Sequence, residues 1–419
     1  MDNHAVLPSA GNKKPRFFYG YIVVTASFLV MTIIWGAVVS FGVFLKPMAA
    51  EFGWTRAMTS GAYSMCMFAL GLFFIVTGRL NDKFGPRIVV TICGIFLGLA
   101  YLLLSQINAL WQLYMLYGAM VAIGLSGGFV PLTSTVARWF VKRRGLLTGL
   151  VASGHGAGGL IGPPVAVWLI ASYGWRSSYF IIGVIALVLL TLIAQFLRRD
   201  PSQKGLHPYG ESEASQEGLV SEPRGFSPKE AINARQFWVF SAMYFCFGFS
   251  FNAILVHIVP HATDLGISDV MAANILAIIG GLNFAGRIGI GSVGDRIGIK
   301  PSLIISFVLV SVSLFCLLLT RDLWMFCLLA AIFGFGAGGL AALESPAVAE
   351  LFGMRAHGSI LGLASFAVTT GGAAGTILAG YIFDITDSYY IAFMLCAVLG
   401  VMGLVLTSLL KPTHRQRFV

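Results

Sequence analysis

The chain has 419 residues, 57% of them hydrophobic and only 11% charged, with 50 glycines and a mean hydropathy of +0.85. Soluble domains carry about 25% charged residues, so this composition excludes an ordinary soluble enzyme and indicates an integral membrane protein. The formal net charge of +10 does not mark a nucleic-acid surface, because the basic residues sit in short loops between apolar segments; no nucleic-acid partner is expected.

A helix needs about 20 apolar residues to cross a bilayer. Twelve such segments are expected, at about 18–45, 57–80, 88–106, 110–137, 145–172, 175–197, 235–261, 270–293, 300–320, 322–348, 358–383 and 388–410. The first sixteen residues are polar and end in Lys13, Lys14 and Arg16, with no small-residue cleavage site after segment 1, which reads as an uncleaved signal anchor. Between segments 6 and 7 lies the one long polar stretch, rich in Pro, Ser, Gly and Glu and without apolar periodicity, expected to be a disordered linker. The expected organisation is a tail at 1–17, a six-helix bundle at 18–197, the linker at 198–234, a second six-helix bundle at 235–410 and a tail at 411–419. The six cysteines fall inside apolar segments without a CxxC pair and read as buried small hydrophobes.

Basic residues set orientation. Of the 27 Lys and Arg, 22 fall on the side of the N-terminus, while Lys46, Arg56, Arg176 and Arg321 fall on the other and Arg287 lies within segment 8. Both termini and the linker are therefore expected in the cytoplasm. The halves also repeat. Gly78, Asp82, Lys83, Gly85 and Arg87 of the loop between segments 2 and 3 recur, at an offset of 213, as Gly291, Asp295, Arg296, Gly298 and Lys300. Phe140 and Arg143 recur as Phe352 and Arg355 at an offset of 212. Two related halves imply a pseudo-two-fold axis along the membrane normal, with a midplane site between them.

The loop from Gly78 to Arg87 resembles the signature of the major facilitator superfamily. The run Arg138-Trp-Phe-Val-Lys-Arg-Arg-Gly145, with Thr148, Gly149, Ser153, Gly154 and Gly158, resembles that of monocarboxylate transporters and of bacterial oxalate/formate antiporters. Phe17-Phe-Tyr-Gly20 is similar to the bacterial branch. The resemblance implies an all-α membrane protein of twelve transmembrane helices in two homologous six-helix bundles, in the bacterial inner membrane. It also implies a small carboxylate and a proton as partners, no cofactor and no enzymatic activity. A monomer is expected.

Arg287 and Asn283 are four residues apart in an otherwise apolar, glycine-rich segment, so they share a helix face. A guanidinium at membrane depth costs about 2.5–3.5 kcal/mol on insertion scales. Arg287 lies about 12 Å inside Asp295 at 1.5 Å per residue, long for snorkelling. It reads as a carboxylate anchor, with Asn283 adding a neutral hydrogen bond. The resemblance places a substrate-contacting Arg here. Many relatives carry an Asp four residues before it, so Asn283 speaks against proton coupling on this helix.

His257 in segment 7 could contact substrate or carry the proton, or could simply bond a neighbouring backbone carbonyl; the resemblance implies a substrate contact. His155 could face the cavity or pack. Glu344 in segment 10 reads as a gating or structural acid near the wet helix end, or as a proton carrier. The loop charges Asp82, Arg87, Asp295 and Arg296, with Arg138 and Arg143 as partners, are expected to form the inner gate. Trp35, Phe129 and Phe366 lie mid-segment and are expected to line the cavity, Phe366 by resemblance. Two G-x-G-x-x-G runs, from Gly154 and from Gly334, lie inside apolar segments, so helix packing explains them rather than a dinucleotide.

The expected function is secondary transport of a short monocarboxylate. An oxalate/formate type of exchanger is the alternative, though a dicarboxylate would want a second buried cation. A transport-dead sensor or membrane enzyme lacks a soluble output domain.

Overall fold

The computed structural model describes residues 18–211, 225–320 and 322–411, and nearly all of these are helical. The signal-anchor reading, Phe17, residues 212–224 of the linker, Arg321 and the C-terminal tail beyond Lys411 lie outside the described residues, as do the side chains of Lys46 and Arg56.

Among the described residues eleven helices are long and apolar enough to cross a membrane. One of them, Arg144–Ala194, has 51 residues and would be roughly 75 Å long, against a hydrocarbon core of about 30 Å. Gly174 resolves the mismatch: at φ 76° and ψ 163° it breaks the helix into two spans. The protein therefore has twelve membrane helices, numbered here α1 (Gly20–Leu45), α2 (Met58–Phe84), α3 (Pro86–Leu104), α4 (Leu110–Trp139), α5 (144–173), α6 (175–194), α7 (Arg235–Asp264), α8 (Val270–Ile297), α9 (Ile299–Leu317), α10 (Leu323–Phe352), α11 (His357–Thr386) and α12 (Tyr390–Leu409). Large apolar side chains such as Trp111, Leu160, Trp168, Trp238 and Ile377 remain exposed, as expected of surfaces that face lipid. The chain is an integral, multi-pass membrane protein.

Within the first bundle α1 packs on α5 and α3 on α6; within the second, α8 packs on α10 and α7 on α11. The halves meet through α2 against α11 and α5 against α8. The internal repeat appears as matching breaks. Gly85 (φ 81°) joins α2 to α3, and Gly298 (φ 97°) joins α8 to α9, both in backbone that a side chain would strain. Helix α4 is not uniform. It holds a π-helical stretch, Tyr114–Val121, then loses helical geometry at 127–129 and restarts at Val130 with Pro131 in its first turn.

The linker differs from the expectation of disorder. Its described ends are built onto the bundles. The Tyr209 amide donates to Trp139 O (2.9 Å), and Tyr209 O accepts from the amides of Val141 and Lys142. On the other half, the Phe226 amide donates to Phe352 O (2.8 Å). Ser227 and Glu230 close a capping box on the short helix Pro228–Asn233. Phe140 and Phe352 are repeat-related, so the linker ends grip equivalent points of the two halves, at the end of the bundle that carries the 2–3 and 8–9 connections. That end is called the linker end below.

Candidate substrate site between the two halves

The linker end is shut by two repeat-related contacts. Asp82 accepts from the amides of Gly358 (3.0 Å) and Ser359 (2.7 Å) and from Ser359 Oγ (2.8 Å). Asp295 accepts from the amides of Gly145 (2.7 Å) and Leu146 (2.8 Å). Each acid of one half thus caps the first turn of a helix in the other, where free amides and the helix dipole favour an anion. Both acids lie in the last turn of a helix rather than in a loop. Arg138 reaches Asp82 (3.1 Å) and Asp200 (3.6 Å). Arg87 bonds Gln195 inside its own half. Arg143 adopts a left-handed backbone at the head of α5, and neither it nor Arg296 forms an ion pair among the described residues.

Glycine sets the approach of the helices here. A side chain at Gly78, Gly145, Gly149 or Gly362 would collide with backbone carbonyls of the opposing half. Towards the far end, a side chain at Gly159, Gly280 or Gly281 would meet nothing within 4 Å. The halves are closed at the linker end, and these far-end positions have open space beside them.

At the boundary between closed and open regions lies Arg287, 7% exposed, beside Asn283, 8% exposed. Its Nε donates to Asn283 Oδ1 (2.9 Å), and its Nη1 donates across the halves to Ala152 O of α5 (2.5 Å). Neither partner is an anion, and no carboxylate lies within 4.0 Å among the described residues. Asn283 Nδ2 is buried without a partner. From the first half, His155 of α5 lies within electrostatic reach of Arg287, and its ring is 4.2 Å from that of Trp35 of α1. Trp35 Nε1 is likewise buried and unpartnered. Unpaired N–H groups in a buried place cost about 1–3 kcal/mol each, which a ligand with acceptor oxygens would recover.

The other expected site residues are more dispersed. Phe366 on α11 lies against Gly71 of α2, and the Phe129 ring is 6.2 Å from that of Phe74. His257 is turned towards α11 and the start of α12: Nε2 lies 3.1 Å from Thr376 O and Nδ1 3.4 Å from Tyr389 Oη. Glu344 is not at a wet helix end. It is 3% exposed, and its partner is Ser365 Oγ (2.7 Å) rather than a loop base.

One cluster escaped the sequence reading. His357, at the start of α11 and 0% exposed, bonds Ser134 Oγ of α4 (3.0 Å) and Ser345 O of α10 (2.9 Å), while Ser345 Oγ donates to Thr133 O (3.2 Å). It joins the two halves just inside the Asp82 contact. Nothing in the spacing of these residues couples them; the one available signal was a run of polar residues, Thr133 to Thr135, inside an apolar segment.

Both glycine-rich runs lie within helices. Gly158 faces Gly36 of α1, and Gly338 faces the backbone of Asn283 and Arg287, so they serve helix contact.

Twelve helices in two repeated bundles, meeting over a buried cation, are the architecture of a two-half membrane transporter. The sequence description of the Major Facilitator Superfamily matches residues 22–299 and 285–418, and the chain belongs to that superfamily. Among curated relatives, monocarboxylate transporter 13 of Rattus norvegicus is 26% identical over 400 residues, spanning 92% of this chain and 87% of its own. The uncharacterized MFS-type transporter YcxA of Bacillus subtilis (strain 168) is 26% identical over 373 residues, spanning 86% and 87%. Among solved structures, the proton:xylose symporter XylE matches with a TM-score of 0.76 at 13% identity, over 94% of this chain and 96% of that one. The E. coli fucose:proton symporter FucP matches at 0.70 and 16% identity, over 94% and 100%. At such identities the structural likeness concerns the fold. These relatives are transporters, not enzymes.

Proposed function

We propose that the protein carries a short monocarboxylate of the lactate or pyruvate type, together with a proton, across the bacterial cytoplasmic membrane by alternating access. The observation that carries this reading is Arg287: a buried guanidinium between the halves whose bonded partners are both neutral. A carboxylate would supply the missing counter-charge and could accept two parallel N–H bonds from the planar fork. The relatives named monocarboxylate transporters support the same class. With both termini in the cytoplasm, as the basic residues imply, the closed linker end is the inner gate and the site opens outward. Asp82 and Asp295, with Arg138, then hold that gate shut until substrate binding rebalances the two states.

Binding to detergent-purified protein tests the anchor without a gradient. Arg287→Ala weakens carboxylate binding by the worth of a charge-assisted hydrogen bond, about 1.5–3 kcal/mol, or about ten- to more than a hundredfold. Arg287→Lys loses less, keeping the charge but not the fork. Asn283→Ala loses least, about 0.5–1.5 kcal/mol. Wild-type affinity in a well-folded Arg287→Ala sample places the anion elsewhere. Uptake into proteoliposomes that ignores an imposed pH gradient but requires internal counter-anion establishes the exchanger instead.

A further inference from the structure

We propose that His155, held by Trp35, is the group that takes up the proton when the carboxylate binds at Arg287. This inference rests on the carboxylate reading of that site. His155 is half-buried, and among the described residues its ring nitrogens have no hydrogen-bond partner; its ring packs on that of Trp35 at 4.2 Å. His257 contrasts with it, since both of its nitrogens are engaged inside the second half. His155 lies one turn of α5 beyond Ala152, whose carbonyl holds Arg287, and Gly156 beside it faces Phe284, the neighbour of Asn283. His155 and the anchor therefore lie on facing helices of opposite halves, within electrostatic reach of each other.

The surrounding charges make the two events cooperative. From α8, the side chain facing His155 electrostatically is Arg287. From α10, Glu344 lies nearer the linker end and is bonded to Ser365, and α1 presents the uncharged Trp35. In the empty site a proton on His155 would stand near a guanidinium that has no carboxylate within 4.0 Å among the described residues, Glu344 attracting it only from farther off, and like charges away from water repel. A carboxylate bound between them offsets both charges. Anion and proton then each favour the other, which is the thermodynamic condition for symport. The chemistry balances simply: a proton from water forms an N–H bond at a free imidazole nitrogen and returns to water when the site opens to the other side. No bond of the substrate changes. Because the two groups lie on opposite halves, this cargo also draws α5 and α8 together.

Proton uptake on binding tests the assignment, measured by calorimetry in buffers of differing ionisation enthalpy with L-lactate and pyruvate as probes. The wild type takes up about one proton per carboxylate bound near pH 7.5, and its affinity falls about tenfold per pH unit in the alkaline range. His155→Gln and His155→Asn both bind more weakly and lose the proton uptake, and their affinity becomes flat with pH. The same linkage survives better in His257→Gln than in either. Carboxylate binding by the wild type without proton uptake overturns the inference, as does uptake kept in a folded His155 variant or lost only in His257→Gln. In those cases an Arg287-dependent affinity leaves the carboxylate reading standing. A wild type that binds neither probe overturns both.

Discussion

At the scale of single residues, the site is defined by polar groups that lack a partner. Trp35 Nε1 and Asn283 Nδ2 are both buried and unsatisfied; Asn283 is bonded to the guanidinium that would hold a carboxylate, and Trp35, in the opposite half, packs on His155. A cargo with an oxygen on the carbon next to its carboxylate can accept from such donors. L-lactate and pyruvate are thus expected to bind about two- to tenfold more tightly than propionate, the worth of one neutral hydrogen bond. Competition against labelled lactate measures this, and the preference shrinks in Trp35→Phe, which keeps the ring but not the N–H. Glu344 presents the opposite case, a buried acid with a hydroxyl donor on it and, among the described residues, no cation within 4.0 Å. Glu344→Gln keeps an acceptor for Ser365 and removes a buried charge, so its thermal stability in detergent stays equal or rises. Glu344→Ala strips the acceptor and lowers stability by about 1 kcal/mol.

At the scale of helices, the proposed gate is a pair of capping interactions made in trans. Asp82 accepts two amides, a hydroxyl and a guanidinium N–H, whereas Asp295 accepts two amides. Hydrogen bonds to a charged group are worth about 1.5–3 kcal/mol. Asp82→Asn is therefore expected to raise the population open at the linker end by about ten- to a hundredfold, and more than Asp295→Asn does. Spin labels at Arg79 and Arg355, exposed on opposite halves at this end, report it as a widened distance distribution. An unchanged distribution and unchanged transport rate would remove Asp82 from the gate. Ser134→Ala should act in the same direction, because it deprives the buried His357 of its bond across the halves. At the far end a different tie operates within one half: Glu51 accepts from Trp175 Nε1 and from Arg176, both at 2.7 Å. The Arg176 bond, followed by that from Trp175, holds the Glu51 carboxyl below its ordinary range. A depressed folded value means that this contribution is complete above the unfolded carboxylate pKa and fades as pH falls through the folded one. Melting curves of Glu51→Gln should accordingly converge on those of the wild type as the solution is acidified.

At the scale of the whole molecule, closure depends on backbone meeting backbone. Gly149 of α5 sits against the carbonyl of Arg287 itself, and Gly78 of α2 against that of Gly358. Under the proposed alternating access such contacts belong to one of two states, so they are where the halves can be wedged without unfolding either. Gly149→Leu is expected to leave the helical content of the protein intact by circular dichroism while abolishing closure at the linker end and with it transport. Retained transport in that variant would mean that the rocking motion does not bring α5 and α8 this close. The linker ends, fastened at the repeat-related Phe140 and Phe352, span the same closing surface and must accommodate its opening.

The amino-acid sequence by itself determined everything that depends on local composition. Apolar length marked the twelve spans, the doubled Gly–Asp–Gly motif marked the two halves, and an arginine at lipid depth, costly unless something offsets its charge, marked the candidate anchor. It did not determine which polar groups meet. Helices in a bilayer are apolar on the lipid side and on the core side alike, so periodicity does not disclose the face each one turns inward. For that reason the sequence favoured His257 as a substrate contact only by resemblance and left His155 open, and only packing gave His257 two partners in its own half and set His155 against Trp35. The same holds for Asp82, whose amide partners lie 276 and 277 residues away, and for the His357 cluster. Those contacts exist because two bundles were brought together at one end, and no stretch of sequence near either residue records the meeting.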